Sequence, residues 1–435
     1  MFFQNDIQTM SRSDIESLQL DRLKKLVKYC YDNVPFYHKR FDEAGVSPDD
    51  IKSLKDIERI PFTTKADMRD NYPFGMFAVP NKKIVRIHAS SGTTGKPTVV
   101  GYTKNDLEAW SDCVARIAEG AGASDESIVQ ICFGYGLFTG ALGLHYGLEK
   151  LGATIVPNSS GNTEKTLMLM QDFGTTAVVA TPSYAQYMGE LAKEKGILKN
   201  IHLKHGILGS EGCTIEMRNA IEATTGMFVT DNYGMSELGG PGVSGECQER
   251  DGLHINEDHF LCEIIDPQTG EVLPAGSEGE LVVTTLTKEG MPVLRYRTRD
   301  ITRITYEKCR CGRTFARMAK TRGRSDDMLK IRGVNVFPSQ IESVLMGFPE
   351  IAPHYQLVLT RANYADHLEI KVELNEEYSN MLDNYTQLED LHNRVTHELR
   401  VVLGIATKLT IVDCKTLERF QGKAKRILDL RNQES

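Results

Sequence analysis

The chain has 435 residues, 40% of them hydrophobic and 25% charged, with a formal net charge of −8. That length allows two or three domains around a large core, and the acidic balance gives no electrostatic reason for a nucleic-acid or anionic-membrane partner. No apolar run reaches bilayer-spanning length and no charged-then-apolar leader opens the chain, so the cytoplasm is the expected location and the nine cysteines read as thiols or metal ligands.

In chain order, Leu18, Leu20, Leu23, Leu26, Val27 and Tyr31 fall at helical spacing and predict an N-terminal helix over roughly 13–41. Next comes a glycine-and-hydroxyl loop, Ser90, Ser91, Gly92, Thr93, Thr94, Gly95 and Lys96, followed by Pro97. Glycines let backbone N–H groups approach phosphate oxygens, and hydroxyls and a lysine add donors and charge. It departs from the Gly-x-x-x-x-Gly-Lys-Ser/Thr phosphate loop, because Ser90 takes the first glycine position and Pro97 takes the place of a magnesium-binding hydroxyl.

From about residue 127 short β-branched runs (127–132, 175–180, 206–208, 227–230) alternate with helical segments (142–150, 182–194, 215–223). This rhythm predicts an α/β fold with a mostly parallel, helix-covered sheet. Between about 252 and 305 it gives way to antiparallel strands near 261–265 and 280–285 around a Pro-Gln-Thr-Gly turn. Residues 324–333, rich in charge and glycine, read as a hinge. Beyond them, strands near 328–331, 356–359, 368–374 and 409–412 and helices near 338–346 and 386–403 predict a small mobile α+β lid. The expected division is a large N-terminal domain over 1–323, the hinge over 324–333 and the lid over 334–435.

Four further motifs are ordered with the hydroxyl loop. They are Asp231-Asn232-Tyr233-Gly234-Met235-Ser236-Glu237, Tyr296-Arg297-Thr298-Arg299-Asp300, the run 323–333, and Gly422-Lys423 near the end. In this order and spacing the chain resembles the adenylate-forming enzymes: acyl-CoA synthetases, carrier-loading adenylation domains and luciferases. Pro61-Phe62-Thr63-Thr64-Lys65, Tyr72-Pro73-Phe74-Gly75, the run 134–140 and the run 332–340 are similar to the phenylacetate–CoA ligases over nearly the whole length.

That resemblance implies ATP, Mg²⁺ and coenzyme A as cofactors and an aromatic acid as the small-molecule partner. It places Ser90, Ser91, Gly92, Thr93 and Thr94 around the β- and γ-phosphates, with Lys96 nearby. Glu237 would hold Mg²⁺, a hard cation suited to oxygen ligands beside phosphates. Asp300 would accept from the ribose hydroxyls, or pair with Arg297 or Arg299. Tyr233 would stack on adenine within a nucleotide-binding run that includes Asp231, Asn232, Gly234 and Ser236. Ser210 and Glu211 would line the adenine pocket. Lys423 would reach the α-phosphate and acyl oxygens during adenylation, Asp326 would sit at the hinge, and Arg324 would touch the ribose or the hinge. Tyr135, Phe138, Met235 and Pro241 form an apolar set suited to a flat ring, although core packing explains such residues equally well.

Independently of adenylation, Cys247, His254, Cys309 and Cys311 offer three sulfurs and an imidazole for a closed tetrahedral structural Zn²⁺ site, with His259 and Cys262 as rival ligands. The leading expectation is an AMP-forming ligase joining phenylacetate to CoA. Indoleacetate, hydroxyphenylacetate or benzoate could replace phenylacetate, and a free-standing adenylation enzyme loading a carrier protein is the alternative class. A nucleotide sensor is disfavoured because Glu237, Asp300 and Lys423 are all present. A homodimer is the expected assembly.

Overall fold

The computed structural model describes residues 2–90, 97–325, 329–331, 334–362, 365–419 and 426–431. They form two compact units. The first comprises Met1–Ala180, Lys199–Ser210 and Met227–Thr321. The second comprises Thr181–Leu198, Glu211–Gly226 and Arg322–Ser435.

The first unit is built on a nine-stranded sheet. Its parallel half runs in the spatial order Thr154–Val156, Ile128–Ile131, Ala177–Ala180, His205–Gly209 and Phe228–Met235. Ala177–Ala180 is buried along its whole length, as a parallel strand covered on both faces must be. Beyond Phe228–Met235 the sheet continues antiparallel through Gly240–Glu246, Leu253–Ile255, Arg317–Met318 and Ile304–Thr305. The strand order reverses beside Ile128–Ile131, which lies between Thr154–Val156 and Ala177–Ala180. In such sheets ligands bind outside the carboxyl ends of the strands near that reversal. The segments leaving those ends carry Tyr135, Ser210 and Glu237.

A separate antiparallel sheet pairs Phe260–Ile265, Gly279–Thr285 and Tyr296–Thr302. Thr63 is stitched to its edge. Its N–H donates to Arg295 O at 3.0 Å, and its O accepts from Arg297 N at 2.9 Å. Lys65 is therefore fixed relative to the strand that carries Asp300.

The helix expected over 13–41 is two helices, Arg12–Asn33 and Pro35–Ala44. Val34 between them is extended, with φ −118° and ψ 106°. A residue before proline disfavours the helical region, while proline itself suits the first turn of the next helix. Leu23, Leu26, Val27 and Phe41 all reach the core of this unit.

Lys104–Gly120 and Thr139–Leu151 pack closely, and two glycines allow it. A Cβ on Gly143 would lie 2.1 Å from Trp110 Cζ2, and one on Gly147 would lie 2.3 Å from Val114 Cβ.

The second unit has its own core of Leu345, Leu357, Ile370, Leu391, Val395 and Leu399. Its sheet runs Lys408–Val412, Ala365–Leu374, Ile351–Ala362 and Ile427–Asp429, antiparallel at the centre and parallel at both edges. Helices Pro338–Met346 and Tyr385–Leu403 contribute the remaining apolar faces. Pro182–Glu194 and Ile215–Thr225 belong to this compact unit although their sequence positions fall between strands of the first.

Gly147→Ala tests the helix contact. Alanine gains about 1 kcal/mol of helix propensity, but the clash with Val114 costs about 1–3 kcal/mol. The expected net result is a melting temperature lowered by a few degrees in a thermal scan, whereas a raised one would show that the two helices part freely.

Candidate active site

Glu237 sits at the tip of a hairpin whose arms are Phe228–Met235 and Gly240–Glu246. Met235 pairs with Gly240 and Gly234 with Pro241, and the register shifts between Tyr233 and Gly234. Ser236–Leu238 makes one 3₁₀ turn, and Gly239 and Gly240 follow with φ of +122° and +108°. Side chains rarely adopt such angles, so the Gly-Gly pair is what lets the chain reverse here. Close contact forbids anything larger, since a Cβ on Gly234 would meet Gly240 O at 2.1 Å. Tyr102 Oη donates to Gly239 O at 3.1 Å and Trp110 Nε1 to Pro241 O at 2.6 Å, fixing the turn from behind.

The turn leaves Glu237 only 3% exposed. Its Oε1 receives no hydrogen bond among the described residues, although Lys65 Nζ lies at an ion-pair distance of 3.3 Å. Ser236 Oγ is 3.1 Å from Thr139 Oγ1. On the same strand, Tyr233 donates its phenolic proton to Asp300 Oδ2 at 2.5 Å. Burial, reinforced by the Asp300 carboxylate, pushes the Tyr233 phenol far up, so it remains a donor. Arg297 and Arg299 both reach Glu280, at 2.7 and 3.5 Å. Asn232 Nδ2 donates to Leu208 O at 2.7 Å, Asp231 N donates to Glu246 Oε2 at 2.8 Å, and Lys320 stands 3.6 Å from Asp231. Ser210 directly follows the neighbouring strand His205–Gly209 and takes φ +70°.

One hairpin thus brings together Asp231, Asn232, Tyr233, Gly234, Ser236 and Glu237, with Asp300 held by Tyr233. Ser90 is half-buried, its N–H bonded to Thr98 O at 3.0 Å. In the second unit, Glu211 accepts from Ser183 and burial raises its carboxyl, while Arg324 is half-buried. Arg419 is held by Glu373 at 2.7 Å, and Arg426 by Glu342 and by Tyr355 Oη at 3.0 Å. Ser91, Gly92, Thr93, Thr94, Lys96, Asp326 and Lys423 lie outside the described residues.

Of the apolar set expected for the acid, Met235 and Pro241 lie on the paired arms of the hairpin. Tyr135 Oη is 3.0 Å from His145 Nδ1, and burial raises its phenol. Phe138 is exposed and tilted against Phe133, and Met235 is half-buried. Pro241 borders a cavity of about 40 Å³ with Tyr102, Trp110, Leu238, Phe260 and Lys288. Ligand pockets run to about 300–1,000 Å³, so this small space is not one. It does contain a residue that sequence reasoning missed. Lys288 is 8% exposed, its Nζ has no hydrogen-bond partner among the described residues, and the ammonium stands 4.9 Å over the Tyr102 ring. Burial lowers its pKa to about 8, against the opposing pull of Asp106 and Glu237.

A second cluster lies at the far end of the sheet. The ligand atoms of Cys247, His254, Cys309 and Cys311 all fall within 4.8 Å of one another. Cys247 follows strand Gly240–Glu246, His254 lies in the paired strand Leu253–Ile255, and Cys309 and Cys311 flank a turn that leads into Arg317–Met318. The contacts Cys247 Sγ–Cys309 Sγ and Cys311 Sγ–His254 Nε2 measure 3.8 and 3.5 Å. A tetrahedron with Zn–S near 2.3 Å and Zn–N near 2.05 Å has S–S edges of about 3.8 Å and S–N edges of about 3.6 Å. Hydrogen bonding from Cys247, joined by His254, pulls the Cys311 thiol strongly down. The rivals are elsewhere: His259 Nδ1 is 2.7 Å from Thr287 Oγ1, and Cys262 lies on strand Phe260–Ile265.

With this geometry in place, likeness to known proteins becomes informative. Residues 18–287 match the family model "AMP-binding enzyme" and residues 333–431 match "AMP-binding enzyme C-terminal domain". Phenylacetate–coenzyme A ligase of Aromatoleum evansii is 51% identical over 98% of this chain and 97% of its own. The enzyme of the same name from Thermus thermophilus is 48% identical over 99% of this chain and 100% of its own. This chain belongs to the phenylacetate–CoA ligases of the AMP-binding enzyme family. A crystal structure of 2-hydroxyisobutyryl-CoA ligase in the postadenylation state superposes with a TM-score of 0.91 at 29% identity, covering 98% of this chain and 92% of that one. The family membership and the mixed α/β fold with a smaller C-terminal domain agree with the sequence expectation.

Lys288 gives the family member a measurable pH signature. Its folded pKa near 8 lies below the ordinary lysine value of about 10.4, so the unfolded chain holds this proton more tightly between the two. Its contribution to stability therefore rises with pH across that window, by roughly 3 kcal/mol in total. The melting temperature of Lys288→Met minus that of wild type is expected to shrink steadily from pH 8 to 10. A constant gap would mean that a paired, ordinary ammonium sits here.

Proposed function

We propose that this chain activates phenylacetate as an acyl-adenylate and passes the acyl group to coenzyme A. The observation that carries this reading is the near-complete match to phenylacetate–CoA ligases together with Glu237, Tyr233 and Asp300 gathered on one hairpin and its neighbour. In the first step the acid's carboxylate oxygen bonds to the α-phosphorus of ATP and the bond to pyrophosphate breaks. In the second the CoA thiolate attacks the acyl carbon, AMP leaves with the bonding electrons of the anhydride, and phenylacetyl-CoA is formed. Neither step needs a covalent bond to the protein, so its task is positioning and stabilising spread negative charge.

Asp300 is oriented to accept from ribose hydroxyls because Tyr233 occupies one of its oxygens and fixes the carboxyl plane. Backbone amides and hydroxyls of 90–94, with Lys96, surround the phosphates in this reading, and Ser210 and Glu211 border the base. Glu237 suits Mg²⁺: it is a buried oxygen donor with one atom short of hydrogen bonds. Glu237 would hold the ion, which would supply positive charge beside the phosphates. Lys423 would sit against the α-phosphate and acyl oxygens, carried by a C-terminal domain joined through 324–333 with Asp326 at the hinge. Tyr135, Phe138, Met235 and Pro241 are the proposed neighbours of the ring. An enzyme consuming ATP and CoA fits the cytoplasm. No disulfide joins any of the nine cysteines, and among the described residues no helix is long and apolar enough to cross a membrane.

Acid-dependent exchange of labelled pyrophosphate into ATP, repeated with CoA and a panel of aromatic acids, tests the function. Phenylacetate should give the highest kcat/KM and a CoA thioester. Exchange without thioester would favour a carrier-loading enzyme. Lys423→Ala is expected to lose adenylation by about a hundredfold or more while forming thioester from supplied phenylacetyl-AMP, the behaviour of a group that stabilises only the first transition state.

The Cys247, His254, Cys309 and Cys311 cluster is proposed to hold a structural Zn²⁺, on the strength of its tetrahedral edge lengths and closed ligand set. The loop bearing Cys309 and Cys311 also anchors the start of the chain: Thr314 N donates to Gln8 O at 3.0 Å and Arg313 Nε to Gln8 Oε1 at 2.6 Å. Elemental analysis should find one zinc per chain, lost in Cys311→Ser. Chelation should lower the melting temperature and speed hydrogen exchange in residues 2–10. A metal-free wild type of undiminished stability would discard the site.

A further inference from the structure

The proposed mechanism leaves one motif unused, Pro61-Phe62-Thr63-Thr64-Lys65, and Lys65 is the described cation nearest Glu237. Its backbone is held in several ways. Thr63 bonds to Arg295 and Arg297 on both sides of its peptide, and Thr63 Oγ1 donates to Leu294 O at 2.6 Å. Thr64 caps the short helix Lys65–Asp70, with Asp67 returning the bond to the Thr64 N–H at 2.7 Å. The side chain behaves differently from its base. It is 39% exposed, and among the described residues its ion-pair partner is Glu237 Oε1 at 3.3 Å.

Several buried carboxylates elsewhere in the first unit are met by arginine. Glu263 receives Arg295 Nε and Nη2 at 3.1 and 2.8 Å, and Asp258 receives Arg116 Nη1 and Nη2 at 2.7 and 3.0 Å. A two-pronged guanidinium saturates a carboxylate and is hard to displace. A lysine is a mobile point charge that satisfies one oxygen loosely and can transfer to another anion. Glu237 therefore has a counter-ion, at a single contact of 3.3 Å, that can be given up.

We propose that Lys65 is a further catalytic residue, which leaves Glu237 when nucleotide binds and pairs with the β- and γ-phosphates, and so with departing pyrophosphate. This rests on the reading of Glu237 as the metal ligand of a triphosphate site. The two cations would divide the work: Glu237 would be neutralised by the divalent ion it holds, and the freed ammonium would offset charge on the leaving group. Position favours this, because Lys65 and Asp300 are tied to one strand pair through Thr63 and Tyr296, so a ribose on Asp300 and a phosphate chain near Glu237 fall within one rigid frame.

Calorimetry with ATP and with AMP, each with Mg²⁺ present and no acid substrate, tests the assignment, since only ATP has the two outer phosphates. Lys65→Gln should weaken ATP about 10- to 100-fold, the worth of a charge-assisted hydrogen bond, and leave AMP within about twofold of wild type. Lys65→Arg keeps the charge but can clamp Glu237 with two bonds, so it should recover only part of the ATP affinity. In steady state with Mg²⁺, Lys65→Gln should raise KM for pyrophosphate in the reverse reaction and leave thioester formation from supplied phenylacetyl-AMP unchanged. Equal loss of ATP and AMP would make Lys65 a structural residue, and unchanged ATP affinity would remove it from the phosphates; either overturns the proposal. The site reading fails separately, if wild type binds neither nucleotide or if Glu237→Gln leaves the Mg²⁺ dependence of ATP binding unaltered.

Discussion

A carboxylate taken out of water is unstable unless something of opposite charge comes with it, and Glu237 is such a carboxylate. The hairpin that presents it is constrained on every side: glycines at 234, 239 and 240 permit the close reversal, and Tyr102 and Trp110 bond to its backbone. Nothing in that turn supplies a hydrogen bond to Oε1 among the described residues. The protein has thus spent its rigidity on the backbone and left the functional oxygen under-satisfied. Such an arrangement is destabilising for the free protein and favourable for one that meets a hard cation, because the desolvation cost has already been met during folding.

The same frame explains why widely separated parts of the chain matter together. The strand carrying Tyr233 hands a phenolic proton to Asp300, on a different sheet, and the segment carrying Lys65 is sewn to the strand that carries Asp300. Asp300, Glu237 and the backbone of Lys65 are held by two sheets that are themselves locked together. The parallel half of the large sheet provides the open carboxyl ends, and its antiparallel extension supplies the return strand that makes the Glu237 turn. The two halves of the sheet therefore have different tasks.

Much of this was legible in the sequence where physics acts locally. Pro182–Glu194 begins on a proline and shows clear periodicity, and it appears with the limits expected. The Asp231–Glu237 run and the Cys247, His254, Cys309 and Cys311 set are contiguous or chemically distinctive, so their convergence could be anticipated. Failures came where three-dimensional context decides. The break at Val34 follows from Pro35 and was readable, but the apolar run on either side masked it. Lys104–Gly120 went unassigned because its inward face includes Arg116 and Asp106, which only tertiary partners make tolerable: Arg116 finds Asp258, and Asp106 accepts from the N–H groups of Glu289 and Gly290. Lys288 looked like any lysine in a charged turn. Its burial is set by Tyr102, from a strand almost two hundred residues earlier, and no periodicity encodes that.

The division between arginine and lysine partners connects stability to function in this fold. Arg295 with Glu263, Arg297 with Glu280 and Arg116 with Asp258 close their carboxylates with paired, directional bonds, and these ties hold strands and helices in register. The second unit follows the same rule, with Arg419 on Glu373 and Arg426 on Glu342, the described residues that bracket positions 420–425. Glu237 differs: its described counter-ion is the half-exposed Lys65, and the buried Lys288 feels its charge with no hydrogen-bond partner for Nζ among the described residues. Replacing Lys65 by a bidentate clamp would make the resting protein more comfortable and the metal harder to admit. A point charge on a flexible stem is the weaker partner, and at this position weakness is what the chemistry requires.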